Sequence, residues 1–131
     1  MTLALSTTLH TDFADAVERT RTALSGQGFG VLTEIDVTAT LKQKLGTEME
    51  GYLILGACNP PLAHAALEVD RQIGLLLPCN VVVRESRSEA GTVIVEAMNP
   101  ELMVQVAGDP ALKEVADTAA AKLRAAIAAL V

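Results

Sequence analysis

The chain has 131 residues, 50% of them hydrophobic but only 2% aromatic, and a formal net charge of −6. That length suits one domain over residues 1–131, with a core that must be aliphatic because Phe13, Phe29 and Tyr52 are its whole aromatic set. An acidic, aromatic-poor surface excludes nucleic acid as an expected partner, and no apolar run approaches the ~20 residues that span a bilayer.

The opening segment "MTLALSTTLHTDFADAV" has neither a basic start nor a long apolar stretch, so it is not read as a signal peptide. "LALSTTL" alternates as a first strand. "HTDFADAVERTRTALSGQG" then reads as a helix, with Thr11 as N-cap and Asp12 and Asp15 in the first turn, where the helix dipole favours negative charge. Phe13, Val17 and Leu24 follow helical spacing, and Gly26 and Gly28 stop the helix. "FGVLTEI" is a second strand. Asp36 caps a short helix in which Val37, Leu41 and Leu45 form one stripe and Gly46 terminates.

"GYLILGAC" is apolar on both alternating faces, the mark of an interior strand covered on both sides by helices or by a partner subunit. Asn59 fits an N-cap, Pro60 the first helical position and Gly74 a stop for the helix "NPPLAHAALEVDRQIG". Pro78 delays the fourth strand, "CNVVVRES", because proline has no amide hydrogen for the ladder. "SRSEAG" turns the chain into a fifth strand, "TVIVEAM". Asn99-Pro100 and Asp109-Pro110 open two further helices, and the last carries a stripe of Leu112, Val115, Ala119, Leu123, Ala126, Ile127 and Leu130. The order βαβαβαββαα predicts an α+β domain, with a single mostly antiparallel or mixed sheet of about five strands and helices packed against it.

Chemistry concentrates in "LGACNPPLAHAALEVDRQIGLLLPCNVVV", which holds both cysteines, 21 positions apart. The spacing is not a C-x-x-C redox couple, and structural zinc ordinarily shows tight ligand pairs that this chain lacks. A disulfide needs an oxidising setting, and the chain reads as cytoplasmic. Cys58 lies where a strand gives way to a helix, and helix N-terminal amides can lower a thiol's pKa. It is the candidate nucleophile, against the simpler reading of a small buried hydrophobe. Cys79 shares its strand face with Val81 and Val83 and has no helix to activate it. His64, among alanines, and His10 are the only imidazoles. Asn59 and Asn80 are candidate ligand contacts, or simply a cap and a turn residue. Arg84 and Glu85 on the fourth strand and Glu96 on the fifth are expected to pair across the hairpin.

The blocks "ILGACNPPLAHAAL" and "IGLLLPCNVVVRE", led in by "GFGVLTEIDVTATLKQKLG", resemble the bacterial and archaeal family called domain of unknown function 302. The motif positions are Cys58, Asn59, Pro60, Ala63, Pro78, Cys79 and Asn80. The resemblance implies a compact α+β domain and a homodimer, and brings no catalytic residue with it. One departure is Arg71 in "VDRQIG", where the family often has proline, which touches the helix end and not the chemistry.

Together these features predict a non-enzymatic, homodimeric ligand-binding or accessory module. Its candidate pocket draws on Cys58, Asn59, Pro60, His64, Pro78, Cys79 and Asn80. One rival is a thiol-dependent enzyme or redox sensor using Cys58. A second is a metal- or haem-associated protein using Cys58, Cys79 and His64.

Overall fold

In the computed structural model, which describes residues 2–131, strands and helices alternate in the expected order. The strands are β1 (Ala4–Leu9), β2 (Gly30–Asp36), β3 (Tyr52–Cys58), β4 (Cys79–Glu85) and β5 (Val93–Met98). The helices are α1 (Phe13–Ser25), α2 (Val37–Leu45), α3 (Pro60–Val69), α4 (Glu101–Ala107) and α5 (Lys113–Ala128). Short 3-10 segments at Arg71–Leu76 and Pro110–Leu112 join the later elements.

All pairings are antiparallel, in the order β1-β5-β4-β3-β2. Side-chain alternation gives this sheet two unlike faces. Leu53, Leu55 and Ala57 of β3, Val81 and Val83 of β4, and Val93, Val95 and Ala97 of β5 are all buried on one face. Against them pack Ala16 and Leu24 of α1 and Leu123 and Ala126 of α5. The alanines let helix and sheet approach closely, which is how a chain with so few aromatics fills its interior. A second, smaller core gathers Ala66 of α3, Ile73, Met103 of α4, Leu112 and Ala116 of α5. The two cores meet where β3 runs into α3 and where β4 begins.

The opposite face of the sheet is open within the protomer. Tyr52, Ile54, Val82 and Ile94 are half-buried there, and Ile35 at the β2 edge is 49% exposed. Arg84 Nε donates to Glu96 Oε1 at 2.7 Å among them, the expected cross-hairpin pair. The main core, with α1 and α5, therefore covers β3 on one side only. Helix α2 buries none of its residues, and Leu45 at its end is 71% exposed. It is tied to the start of β3 through Thr38, whose Oγ1 accepts from Tyr52 N at 2.9 Å.

Three helix ends differ from the sequence reading. Asp109-Pro110 opens only the 3-10 segment Pro110–Leu112, and α5 starts after it at Lys113 with no side-chain cap. Asp12, not Thr11, caps α1: its Oδ1 accepts from Asp15 N at 2.8 Å, while Thr11 Oγ1 donates to the Asp15 carboxylate. Helix α3 stops at Val69, before Gly74, because Asp70 adopts an extended conformation and its Oδ1 accepts from Gln72 N to start the 3-10 segment. Gly46 does end α2, in the left-handed region at φ 68°.

Candidate functional site

The motif is built by strand pairing. Ala57 of β3 lies opposite Cys79 of β4, and Cys58 follows Ala57 at the end of β3, where the strand runs into α3. Both are free thiols, Cys58 half-buried and Cys79 buried. They line one cavity of about 30 Å³ at the seam of the two cores. Leu62, Ala63, Leu77 and Pro78, all half-buried, form its rim. Phe29, Met103 and Ala119 close it from the interior.

Close approach at the end of β3 requires glycine. A Cβ on Gly56 would stand 2.0 Å from Thr33 Oγ1 and 2.8 Å from Pro78 Cγ. Gly56 thus lets Pro78 close down over β3 directly before Cys79. Asn59 fixes the other margin. Its Oδ1 accepts from Leu62 N and its Nδ2 donates to Gln27 O, each at 3.4 Å, which ties the α3 entrance to the loop after α1. Both polar groups of Asn59 are therefore engaged locally, which is capping rather than an oxyanion site.

The helix does not offer Cys58 the amides that the sequence suggests. The first two positions of α3 are Pro60 and Pro61, which have no N–H. The next amide, Leu62 N, is taken by Asn59 Oδ1, and Ala63 N donates to Asn59 O at 2.9 Å. Double proline makes a firm helix start and an unreceptive anion site.

Burial, and next the neighbouring Cys58, push the Cys79 thiol up to about 11 from 9.0. Cys79 is therefore a neutral thiol at physiological pH. The raised folded-state pKa stabilises the native protein fully below pH ~9, and that contribution is lost as pH rises toward 11. Two pKa units correspond to roughly 2–3 kcal/mol. Urea unfolding between pH 8 and 11 should show this loss in the wild type, and Cys79→Ala should flatten it. Equal pH slopes for the two proteins would show that Cys79 does not titrate in this way.

Of the sequence candidates, Cys58, Asn59, Pro78 and Cys79 come together at the cavity, with Ala63 beside them. Pro60 is exposed at the helix start, and Asn80 is exposed beside Cys79. His64 faces solvent, its side chain 77% exposed and its Nε2 3.6 Å from Glu68 Oε1. Helical spacing carries it away from the thiols, so the combination of Cys58, Cys79 and His64 is not assembled. Among the described residues, no group of three or more His, Cys, Asp or Glu side chains is placed to hold a metal ion. Met103 is the residue that sequence reading passed over. It sits on a short helix far along the chain, and only the packing of α4 against the 3-10 segment and α5 brings it to the thiols.

No helix among the described residues is long and apolar enough to cross a membrane. No curated protein matches the chain. The family model for domain of unknown function DUF302 matches residues 5–130. A crystal structure of an uncharacterized conserved DUF302 protein from Bacillus stearothermophilus superposes with a TM-score of 0.90 at 31% identity, covering 100% of both chains. The paired Cys-Asn blocks, the antiparallel five-stranded sheet and this full-length match agree: the chain belongs to the DUF302 family.

Proposed function

We propose that this protein is a non-enzymatic, cytoplasmic binding module that works as a homodimer. The observation that carries the reading is the cavity at the family motif. Both motif thiols, the α3 entrance and the start of β4 converge on an apolar space, and nothing around it resembles catalytic machinery. Cys79 is held neutral, Cys58 lacks donor amides, and both polar groups of Asn59 are spent on the backbone. A thiol enzyme needs a stabilised thiolate, and burial acts against one at Cys79. At about 30 Å³ the cavity holds one very small occupant, with the half-buried rim as its entrance.

The open sheet face supports the dimer. A solvated antiparallel face is ordinarily polar, but Ile54, Val82 and Ile94 occupy the three inner strands here. The Arg84–Glu96 pair lies among them. A second copy related by a two-fold axis would present the same patch, apolar against apolar, with opposite charges able to meet. It would also give β3 the second cover that its sequence calls for.

Native mass spectrometry of the reduced protein tests both halves. The expected species is a dimer of the 13.7 kDa chain carrying a small added mass. Ile54→Glu should give monomer, with the association constant reduced at least about tenfold, equivalent to ~1.4 kcal/mol. Ala63→Leu, which fills the cavity rim, should keep the dimer and lose the added mass. A wild type that is monomeric when dilute contradicts the dimer, and an added mass unchanged by Ala63→Leu contradicts the cavity.

A further inference from the structure

The cavity has an unusual set of free donors. Its one amide side chain, Asn59, is occupied at both ends by backbone groups. What remains unengaged is sulfur: the thiols of Cys58 and Cys79 and the thioether of Met103, all lining the same space. Met103 and Cys79 are buried, and Cys58 stands half-buried at the entrance. No carboxylate or imidazole lines the cavity. Its volume of about 30 Å³ has room for no more than a few small atoms, so it suits a very small occupant such as a single ion.

We infer that Cys58, Cys79 and Met103 form an all-sulfur site for a soft monovalent cation of the Cu(I) class. Thiolate and thioether donors select Cu(I) over harder ions, whereas zinc asks for four N, O or S ligands and magnesium or calcium for oxygens. Two or three sulfurs satisfy a d10 monovalent ion, which has no need of a fourth ligand. In the binding step the cation replaces the two thiol protons, which go to solvent, and forms two metal–thiolate bonds, while the neutral Met103 thioether adds a third, dative bond without losing a proton. The metal stays at +1, so no oxidant or reductant is required. The inference rests on the cavity being a binding site and names its ligand class. It leaves the solvent-facing His64 out.

The test uses the full-length, reduced protein under anaerobic conditions. Cu(I) is supplied with a competing chromogenic chelator, and Ag(I) serves as a redox-inert probe. The expected result is one metal per protomer, with a sulfur-only first shell by X-ray absorption. Cys79→Ala should weaken retention by more than about 100-fold, beyond the loss that a merely orienting partner causes. Met103→Leu should weaken it roughly tenfold while leaving the thermal unfolding midpoint of the metal-free protein near wild type. Nitrogen or oxygen in the first shell would overturn the site, as would equal retention by Cys79→Ala or by Met103→Leu. X-ray absorption on the unaltered protein keeps the test decisive if a cysteine variant folds poorly. An added mass that is organic and lost in Ala63→Leu, with no Cu(I) retained, would refute the cation while preserving the binding cavity. Neither occupant bound would refute both.

Discussion

Replacing Gly56 by alanine is expected to destabilise the protein by about 3 kcal/mol or more, at the high end for overpacking. Elsewhere in a strand that substitution tends to stabilise, because alanine restricts the unfolded chain. Here the new Cβ would lie 2.0 Å from Thr33 Oγ1 and 2.8 Å from Pro78 Cγ. Thr33 can rotate or be removed. Pro78 is a rigid ring in the segment that delivers Cys79, and it cannot yield without shifting the start of β4. Thr33→Ala in the Gly56→Ala background should therefore recover only part of the loss. Urea denaturation of the two variants checks this, and full recovery in the double variant would show that Pro78 is not a constraint. The same clash ties stability to the site, because relieving it moves the wall of the cavity.

Leu123→Ala should cost about 4 kcal/mol, in the upper part of the 2–5 kcal/mol range for buried leucine. Leu123 is fully buried where α5 crosses the sheet, and its neighbours include Ala126, Ala97 and Val81. Small side chains already packed against β-structure cannot move far to refill the space. A void of about 10 Å³ already lies beside Leu123, so the deletion enlarges an existing gap. A loss of this size is a large share of a typical 5–15 kcal/mol total. Equilibrium urea unfolding gives the value directly, and a loss below ~2 kcal/mol would mean that the α5 stripe repacks freely.

The sequence made much of this architecture legible, for identifiable reasons. Helix starts followed from side chains that serve backbone donors: Asp36 and Asn59 each accept from an amide of the first turn, whereas Asp109 caps only the 3-10 segment ahead of α5. Strand β4 began after Pro78 because of proline's missing amide hydrogen. Errors arose where neighbouring residues compete for one role. Thr11 and Asp12 are both good caps, and the carboxylate at position 12 is the one that meets Asp15 N. Gly74 looked like a stop, but Asp70 four residues earlier already served a new turn. The two prolines after Asn59 were read as a helix start, and they are also the reason Cys58 finds no amide donors.

The site was only half legible. Pairing of β3 with β4 brings the end of one strand to the start of the other, and so both cysteines to one end of the sheet, which is foreseeable once the strands are known. Strand order in the sheet was not, since local pattern does not say that β1 crosses to pair with β5. Nor could periodicity place Met103, whose position depends on a second core assembled from five separate elements. The apolar character of β3 on both faces was correctly read from "GYLILGAC", yet the protomer covers only one of them. That mismatch is what motivates the proposed dimer.

Timed alkylation followed by peptide mass spectrometry tests most directly whether the motif forms one cavity with an accessible and an inaccessible thiol. In the reduced, folded protein at pH 8, iodoacetamide should modify Cys58 at the rim and leave Cys79 untouched until denaturant is added. Cys79, neutral and walled in by the second core, should become reactive only with global unfolding. Modification of Cys79 at a rate equal to that of Cys58 in the folded protein would contradict the account.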